Sequence, residues 1–354
     1  MLKIIDRTLL GISRDRNVDD SMLYKMSQTL LNLGISDIEI KPEIVSDMRN
    51  MPVDGHYIMH INSLEEVGQY PEIDTFIYSM TPEDIMKKLT DDGDESYKCA
   101  DKFNNKEIIV EILTQTIDPI LNFLEKFSTK KEIEDKINSL GADRIRITGC
   151  SKLIFDDYSD KLGRLVKKLG NKLEFCPTDR CQSATALALE YIRQGGKNVC
   201  LSFNGTGGIG KLEEVLTGIK IILNKKIKMD LSVLPKLKNI YEQITQLPIN
   251  YNKAIIGKNI FNLEAGIRKN TSKHNELTYE PYDPAVVGKT RKIIIGKYSC
   301  ETAVKLKLDQ FGIADNQVRI KDLIEEIQGI SMNLGRSLSD KEFITVVQRF
   351  IKKK

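Results

Sequence analysis

The sequence predicts an α/β fold: a (β/α)8 TIM-like barrel over residues 1–225, followed by a small, mainly helical C-terminal domain over 226–354. Three observations predict it. Strand-like runs and amphipathic helical stretches take turns from the first residues onward. Eight such strands, each followed by a helical segment, fit within about 225 residues, the usual size of this barrel. After Leu223 the alternation stops, and the chain turns loop-rich and then helical. Periodicity alone leaves a doubly wound open sheet as the alternative.

The elements follow in order. Leu2-Lys3-Ile4-Ile5-Asp6 reads as a short buried strand. Asp19 to Leu33 is a helix: Met22, Leu23, Met26, Leu30 and Leu33 recur near helical spacing, and Gly34 supplies the stop. Asp37–Ile40, Tyr57–Ile61, Asp74–Tyr78 and Glu107–Leu113 are the next strands. Between the last two, Thr81 to Lys106 is irregular. Its Asp91-Asp92-Gly93-Asp94-Glu95 lacks the alternating ligands and final Glu of a calcium loop and reads as a solvated acidic loop. Lys131–Leu140 is a helix ended by Gly141, Arg144–Thr148 a strand, and Ser159–Leu169 a helix with Leu162, Leu165, Val166 and Leu169 on one face. Lys172–Cys176 and Asn198–Phe203 are strands, and Gln182–Arg193 and Lys211–Leu223 helices. In the tail, Leu231–Gln246 reads as a long helix interrupted at Pro235. Arg291–Gly296 is a short strand, and helices near Glu301–Leu308, Ile320–Ile330 and Ser339–Ile351 finish the chain. Ser339 stands three residues before Glu342, the spacing of a capping box.

Charge and composition exclude several functions. Lys and Arg number 53 against 50 Asp and Glu, a net charge of +3, so no basic field points to nucleic acid. No apolar run approaches membrane-spanning length, and Met1 to Thr8 runs straight into a strand pattern rather than a signal peptide; a cytoplasmic protein is expected. The cysteines (Cys99, Cys150, Cys176, Cys181, Cys200 and Cys300) form no CxxC and read as reduced thiols. Cys176 and Cys181 flank a polar loop and read either as a redox pair or, by default, as packed thiols. Only His56, His60 and His274 supply imidazole; the first two fall across a loop and a strand, which argues against a helix-mounted metal pair. The glycines from Gly205 to Gly210 precede a helix; they suit either an anion cradle or a tight turn.

Barrel enzymes place their chemistry at the C-terminal ends of the strands. The first strand runs into Asp6-Arg7-Thr8-Leu9-Leu10-Gly11, which resembles the motif Asp-Thr-Thr-Leu-Arg-Asp-Gly of the homocitrate synthase and isopropylmalate synthase family. The tail carries the fuller likeness. Leu247-Pro248-Ile249 and Asn252 to Phe261 are similar to the family's Ile-Pro…Asn-Lys-Ala-Ile-Val-Gly-x-Asn-Ala-Phe. Leu263-Glu264-Ala265-Gly266-Ile267-Arg268 follows where the family has His-Glu-(Ser/Ala)-Gly-Ile-His. Thr278 to Pro284, Val286 to Gly288 and Arg291 to Ser299 resemble its closing motifs, with Tyr298 in place of a His.

The resemblance implies a reaction in which acetyl-CoA loses an α-proton and attacks a 2-oxo acid, helped by a divalent metal. It places Asp6 at a metal ligand, Leu10 at the keto-acid-activating Arg, and Cys176-Pro177-Thr178 at the two metal-binding histidines of the seventh strand. Gly149-Cys150 replaces an Asp-Thr pair, and the eighth-strand loop loses its Asn. Asp6 therefore reads either as a residual metal ligand or as a buried carboxylate satisfied by Arg7, Arg144 or Arg146, the latter because its co-ligands are gone. Glu264 reads as a substrate-orienting residue or as a cap on local backbone. Lys297 and Ser299 read as an architectural turn. No catalytic residue is assigned, and no cofactor is expected on this chain alone.

Relatives that make homocitrate for nitrogen fixation divide into an alpha chain with the catalytic portion and an omega chain with the C-terminal portion. An altered barrel with a well-kept tail matches the omega pattern. The resemblance thus implies an omega-type subunit that pairs with a catalytic alpha-type chain, on which the divalent metal is expected, or else forms a homodimer. The alternative is a non-catalytic binding or regulatory barrel derived from the same family.

Overall fold

The computed structural model describes residues 2–12, 19–42, 50–81, 83–85, 87, 105–152, 157–264 and 282–351. The acidic stretch 91–95 and the motif segments 265–268 and 278–281 lie outside these residues.

Eight parallel strands close into a barrel: β1 (Lys3–Asp6), β2 (Asp37–Ile40), β3 (His56–His60), β4 (Thr75–Met80), β5 (Glu107–Thr114), β6 (Arg144–Gly149), β7 (Leu173–Pro177) and β8 (Asn198–Leu201). Each pairs with its sequence neighbour. β1 also pairs with β8, with Lys3 opposite Asn198 and Asp6 opposite Leu201. That last ladder rules out the open sheet.

Helices alternate with most strands: α1 (Thr8–Ile12), α2 (Asp20–Leu33), α3 (Asp118–Leu124), α4 (Lys130–Ser139), α5 (Tyr158–Leu169), α6 (Ala184–Arg193) and α7 (Leu212–Ile221). After β3 only a six-residue 3-10 turn, Leu64–Gln69, occupies the helical place. The caps match the sequence signals. Asp19 accepts from the Ser21 N–H at the start of α2, and Gly34 ends it at φ 97°.

The strands sort by parity. Ile5, Ile58, Ile77, Ile109, Cys176 and Cys200 come from six strands into one buried cluster, so this parity lines the barrel interior. The opposite parity, including Ile38, Phe76, Ile108, Ile147, Phe175 and Val199, is also buried, which is what strands covered on both faces require.

The barrel unit extends further than the sequence boundary near 225. The chain divides into Met1–Ile249 and Asn250–Lys354. Helix α8 (Leu234–Thr245) packs on α2, the Asp230 N–H donates to the Leu33 carbonyl at 2.9 Å, and the Thr206 hydroxyl donates to the Tyr241 hydroxyl at 3.0 Å. Pro235 does not interrupt this helix. It sits in the first turn, where no backbone N–H is needed, after the short 3-10 turn Leu231–Val233.

In the second unit, β9 (Asn262–Glu264) and β10 (Lys292–Ile294) form a parallel pair. Helices α9 (Glu301–Gln310), α10 (Ile320–Leu334) and α11 (Asp340–Ile351) share a core of Val304, Leu308, Leu323, Ile327, Phe343 and Val347. Buried Lys307 reaches the Ile293 carbonyl at 3.0 Å and Asp340 at 2.9 Å. The capping box forms as read: Ser339 N–H donates to Glu342 at 2.7 Å, and Glu342 N–H to Ser339 Oγ at 3.3 Å. Among the described residues no helix is long and apolar enough to cross a membrane.

One glycine is required by the barrel itself. Gly149 ends β6 at φ 117°, and a Cβ there would stand 2.0 Å from the Thr114 carbonyl oxygen on β5. Gly149→Ala is predicted to cost about 2–4 kcal/mol in urea unfolding. Gly335→Ala, at φ 63° and ψ 17° with open space around it, should cost about 1 kcal/mol. Equal losses at the two positions would show that backbone conformation, not the β5 contact, sets the requirement.

Candidate functional site in the barrel interior

The inward parity carries charge at nearly every strand. At the N-terminal ends, a chain of contacts runs around the barrel. Lys3 Nζ and His56 Nδ1 both meet Asp37 Oδ1, at 2.7 and 2.6 Å. His56 Nε2 lies 3.0 Å from Thr75 Oγ1, which donates to Glu107 at 3.2 Å. Arg144 binds Glu107 with two N–H groups, each at 2.7 Å, and reaches Glu174 with a third. Asn198 on β8 donates to the Leu173 carbonyl at 3.0 Å. All eight strands thus contribute to one polar belt, at the end of the barrel that serves stability rather than chemistry.

A second tier lies deeper. Fully buried Arg146 donates from Nε and Nη2 to Glu174 Oε2, at 2.9 and 2.8 Å, and from Nη1 to Glu39. Cys200 donates its S–H to the same Glu39 at 3.2 Å.

The third tier is the mouth. Arg7 Nε lies 3.3 Å from Glu39 Oε2, and His60 Nε2 lies 2.7 Å from that same oxygen. Arg7 Nη1 donates to Glu111 Oε1 at 2.8 Å and lies 3.4 Å from Cys176 Sγ. Thr148 and Ser79 hydroxyls donate to the two oxygens of Glu111, at 2.7 and 2.8 Å.

The electrostatics follow from this geometry. Burial pushes the Glu39 carboxyl up, but the charges of Arg146, Arg7 and His60 outweigh it and hold it well below the usual carboxylate range. Glu111 is buried too, and Arg7 and Arg146 bring it down to about 2. Burial lowers the His60 pKa more than Glu39 raises it. Hydrogen bonding with Cys200, then the charges of Arg7 and Arg146, draw the Cys176 thiol down.

Asp6 is placed elsewhere. It follows inward-facing Ile5 in β1 and so has the opposite parity. Its carboxylate accepts from Thr8 N–H at 2.9 Å and Thr8 Oγ1 at 2.8 Å, and Thr8 Oγ1 in turn accepts from Phe203 N–H at 2.7 Å. Arg7, Arg144 and Arg146, the partners read from the sequence, are engaged with Glu39, Glu107, Glu111 and Glu174 instead. Burial raises the Asp6 carboxyl from the ordinary 3.8 to about 7, against the two Thr8 hydrogen bonds and with the charges of Glu39 and Glu213 adding to it. It is a clamp between the ends of β1 and β8. Each of its oxygens accepts one hydrogen bond from Thr8. Among the described residues no three His, Cys, Asp or Glu side chains are placed to share a metal ion.

His56 and His60 stand at the two ends of one strand, each tied to a carboxylate on β2. Cys176 is buried beside Cys200, whereas Cys181 is exposed. In the glycine loop, the N–H groups of Gly205, Thr206, Gly208 and Gly210 donate to carbonyls and that of Asn204 to Glu213, so a tight turn accounts for it better than an anion cradle. In the second unit, Glu264 Oε1 accepts from the Tyr298 N–H at 2.9 Å, and Ser299 Oγ accepts from the Gly296 N–H at 2.9 Å. Glu264 thus caps local backbone, on the wall of a 270 Å³ cleft that also includes Lys297, Ser331 and Arg336.

The sequence reading missed Glu39, Glu111, Arg146 and Glu174 as a set. The signal was present. Parallel barrel strands ordinarily read as unbroken apolar runs. Here Asp37-Ile38-Glu39-Ile40 and Arg144-Ile145-Arg146-Ile147 alternate charge with Ile, which marks one face of each as a charged interior.

Two outcomes test this assignment. Arg146→Met leaves Glu39 and Glu174 without their shared cation and should cost about 3–5 kcal/mol in urea unfolding. Adding Glu174→Gln to it should restore part of the loss; no restoration would show that Arg146 acts through packing alone. Because the folded Asp6 pKa is raised, the stability it contributes is complete below pH 4 and is lost as pH rises toward about 7. Glu111 has the opposite sign: its contribution is present above about pH 4.5 and is lost as pH falls toward 2. Asp6→Asn should therefore gain about 1–3 kcal/mol on wild type between pH 5 and pH 8. A wild-type-to-variant difference that does not change across that interval would mean Asp6 does not titrate near 7.

Comparison with known proteins places the whole chain. The family model described as "Homocitrate synthase post-HMGL domain-like" matches residues 255–349. The chain is 26% identical over 350 residues to the homocitrate synthase omega subunit of Clostridium pasteurianum, covering 99% of this chain and 96% of that protein. It is 30% identical over 384 aligned positions to the 2-isopropylmalate synthase of Sulfolobus acidocaldarius, covering 100% and 96%. The HMG-CoA lyase from Brucella melitensis superposes with a TM-score of 0.53 at 13% identity, over 70% of this chain and 99% of that one, a likeness of fold alone. With a match of this identity over the full length, the chain belongs to the homocitrate synthase and isopropylmalate synthase family.

Proposed function

We propose that this chain is an omega-type subunit of a homocitrate synthase, acting beside a catalytic alpha-type chain that carries the divalent metal. The observation that carries the proposal is the state of the mouth: the carboxylates there, Glu39 and Glu111, are both held by arginine. The condensation of acetyl-CoA with 2-oxoglutarate needs a base for the α-proton and an electrophile for the ketone oxygen. Glu39 and Glu111 are too weakly basic for the first task, and His60 is tied to Glu39. The full-length similarity to a protein described as an omega subunit supports the same reading.

Co-expression with a relative that retains the complete Asp-Thr-Thr-Leu-Arg-Asp-Gly and His-x-His motifs tests the proposal. A tag on one chain is expected to retain both. Turnover of acetyl-CoA with 2-oxoglutarate should rise roughly tenfold or more over the relative alone. A chain that purifies only with itself and leaves the relative's turnover unchanged sinks the subunit reading and favours a separate binding or regulatory role.

A further inference from the structure

We propose that Cys176 and Cys200 form a hydroperoxide-reactive thiol pair that closes into a disulfide between β7 and β8 inside the barrel. Cys176 and Cys181, neighbours in sequence, are separated by the fold: the first is buried and the second exposed. The partner that the strands supply is Cys200. Glu174 and Phe175 of β7 lie opposite Asn198 and Val199 of β8, and the same register, carried on by one residue, sets Cys176 opposite Cys200. Both belong to the inward-facing buried cluster, and their thiols hydrogen-bond to each other. Neighbouring strands lie about 4.8 Å apart, within the roughly 4.4–6.8 Å of Cα separation that a disulfide spans. The two thiols differ in their surroundings. Cys176 Sγ lies 3.4 Å from Arg7 Nη1, with Arg146 as a further positive charge, which favours the nucleophilic thiolate there. Cys200 donates its S–H to Glu39 at 3.2 Å, and a carboxylate beside it keeps it a thiol. Attack therefore falls to Cys176 and resolution to Cys200. The way in is the mouth, where the Arg7 and His60 side chains keep 14% and 11% of their surface exposed, and hydrogen peroxide is little larger than water. In the first step the Cys176 thiolate attacks one peroxide oxygen. An S–O bond forms, the O–O bond breaks, and the leaving hydroxide takes up a proton as water. In the second the Cys200 sulfur displaces the hydroxyl of the sulfenic acid, and its own proton leaves with that oxygen as a second water. One peroxide is reduced, and the thiol pair is oxidised by two electrons.

The pair is independent of the subunit role and is tested on the reduced, full-length chain alone. Wild type, Cys176→Ser and Cys200→Ser are exposed to hydrogen peroxide while circular dichroism follows the fold. Samples taken in time are unfolded in urea with an alkylating reagent, digested and read by mass spectrometry. Wild type is expected to give a peptide pair joined through Cys176 and Cys200, released by dithiothreitol, with the circular dichroism retained. Cys200→Ser should stop with one added oxygen on Cys176. Cys176→Ser should oxidise at Cys200 about tenfold more slowly or worse, which tests the guanidinium's effect without touching Arg7. Exposed Cys181 serves as the internal control. The proposal is overturned if Cys176 and Cys200 are both still alkylated when Cys181 has been oxidised. It is equally overturned if either joins another cysteine instead, if the disulfide forms only as the circular dichroism is lost, or if the two single variants oxidise at equal rates. Stimulation of a catalytic partner, or its absence, changes none of these outcomes.

Discussion

One carboxylate organises the barrel interior. Glu39, on β2, is fully buried between Arg146 beneath it and Arg7 above it, and it also receives His60 and Cys200. Those four partners come from β6, the end of β1, β3 and β8, so a single side chain ties strands around the whole circumference. The inner faces of small parallel barrels are usually packed with branched aliphatic residues. Here isoleucines do that on β1, β3, β4 and β5 and cysteines on β7 and β8, and charged and polar side chains fill much of the rest. Such networks add little net stability, because desolvation offsets most of the attraction. What they do enforce is register: a one-residue slip of β2 would turn Glu39 outward and leave two buried guanidinium groups without it.

The parts of the fold legible in the sequence are those that depend on local pattern. Strand and helix positions follow from apolar spacing, and Gly34 and the Ser339–Glu342 pair announce real caps. The domain boundary was not legible, because what keeps α8 with the barrel is its packing on α2, some 200 residues earlier in sequence. Pro235 looked like a break because its missing N–H matters only inside a helix, and nothing local says it stands in the first turn. Asp6 shows the sharpest limit. A carboxylate at a strand end invites a functional reading, but its face is set by parity, and parity becomes visible only when Ile5 is seen beside Ile58, Ile77 and Ile109.

The resemblance read from the sequence presents the barrel mouth as a list of losses. The geometry presents it as a set of satisfied charge pairs. The mouth carboxylates Glu39 and Glu111 are hydrogen-bonded and paired with arginine. A site that had merely decayed would be expected to leave buried carboxylates without hydrogen-bond partners. Glu39, Glu111 and Glu174 all have them. The tail unit keeps its own local order in the same way, with Glu264 and Ser299 holding the turn around Tyr298.

The clamp at Asp6 also bears on how the chain reaches this state. The Phe203 N–H meets Thr8 across a sequence separation of 195 residues, and the β1–β8 ladder spans the same interval. During synthesis, β1 has only β2 for a neighbour until the eighth strand emerges. Until then the future interior, with its guanidinium and carboxylate groups, remains hydrated, and the open edge of β1 is available to other chains. Closure therefore comes late in folding and at a high cost in loop entropy. The first strand of this protein is the last to gain its second partner.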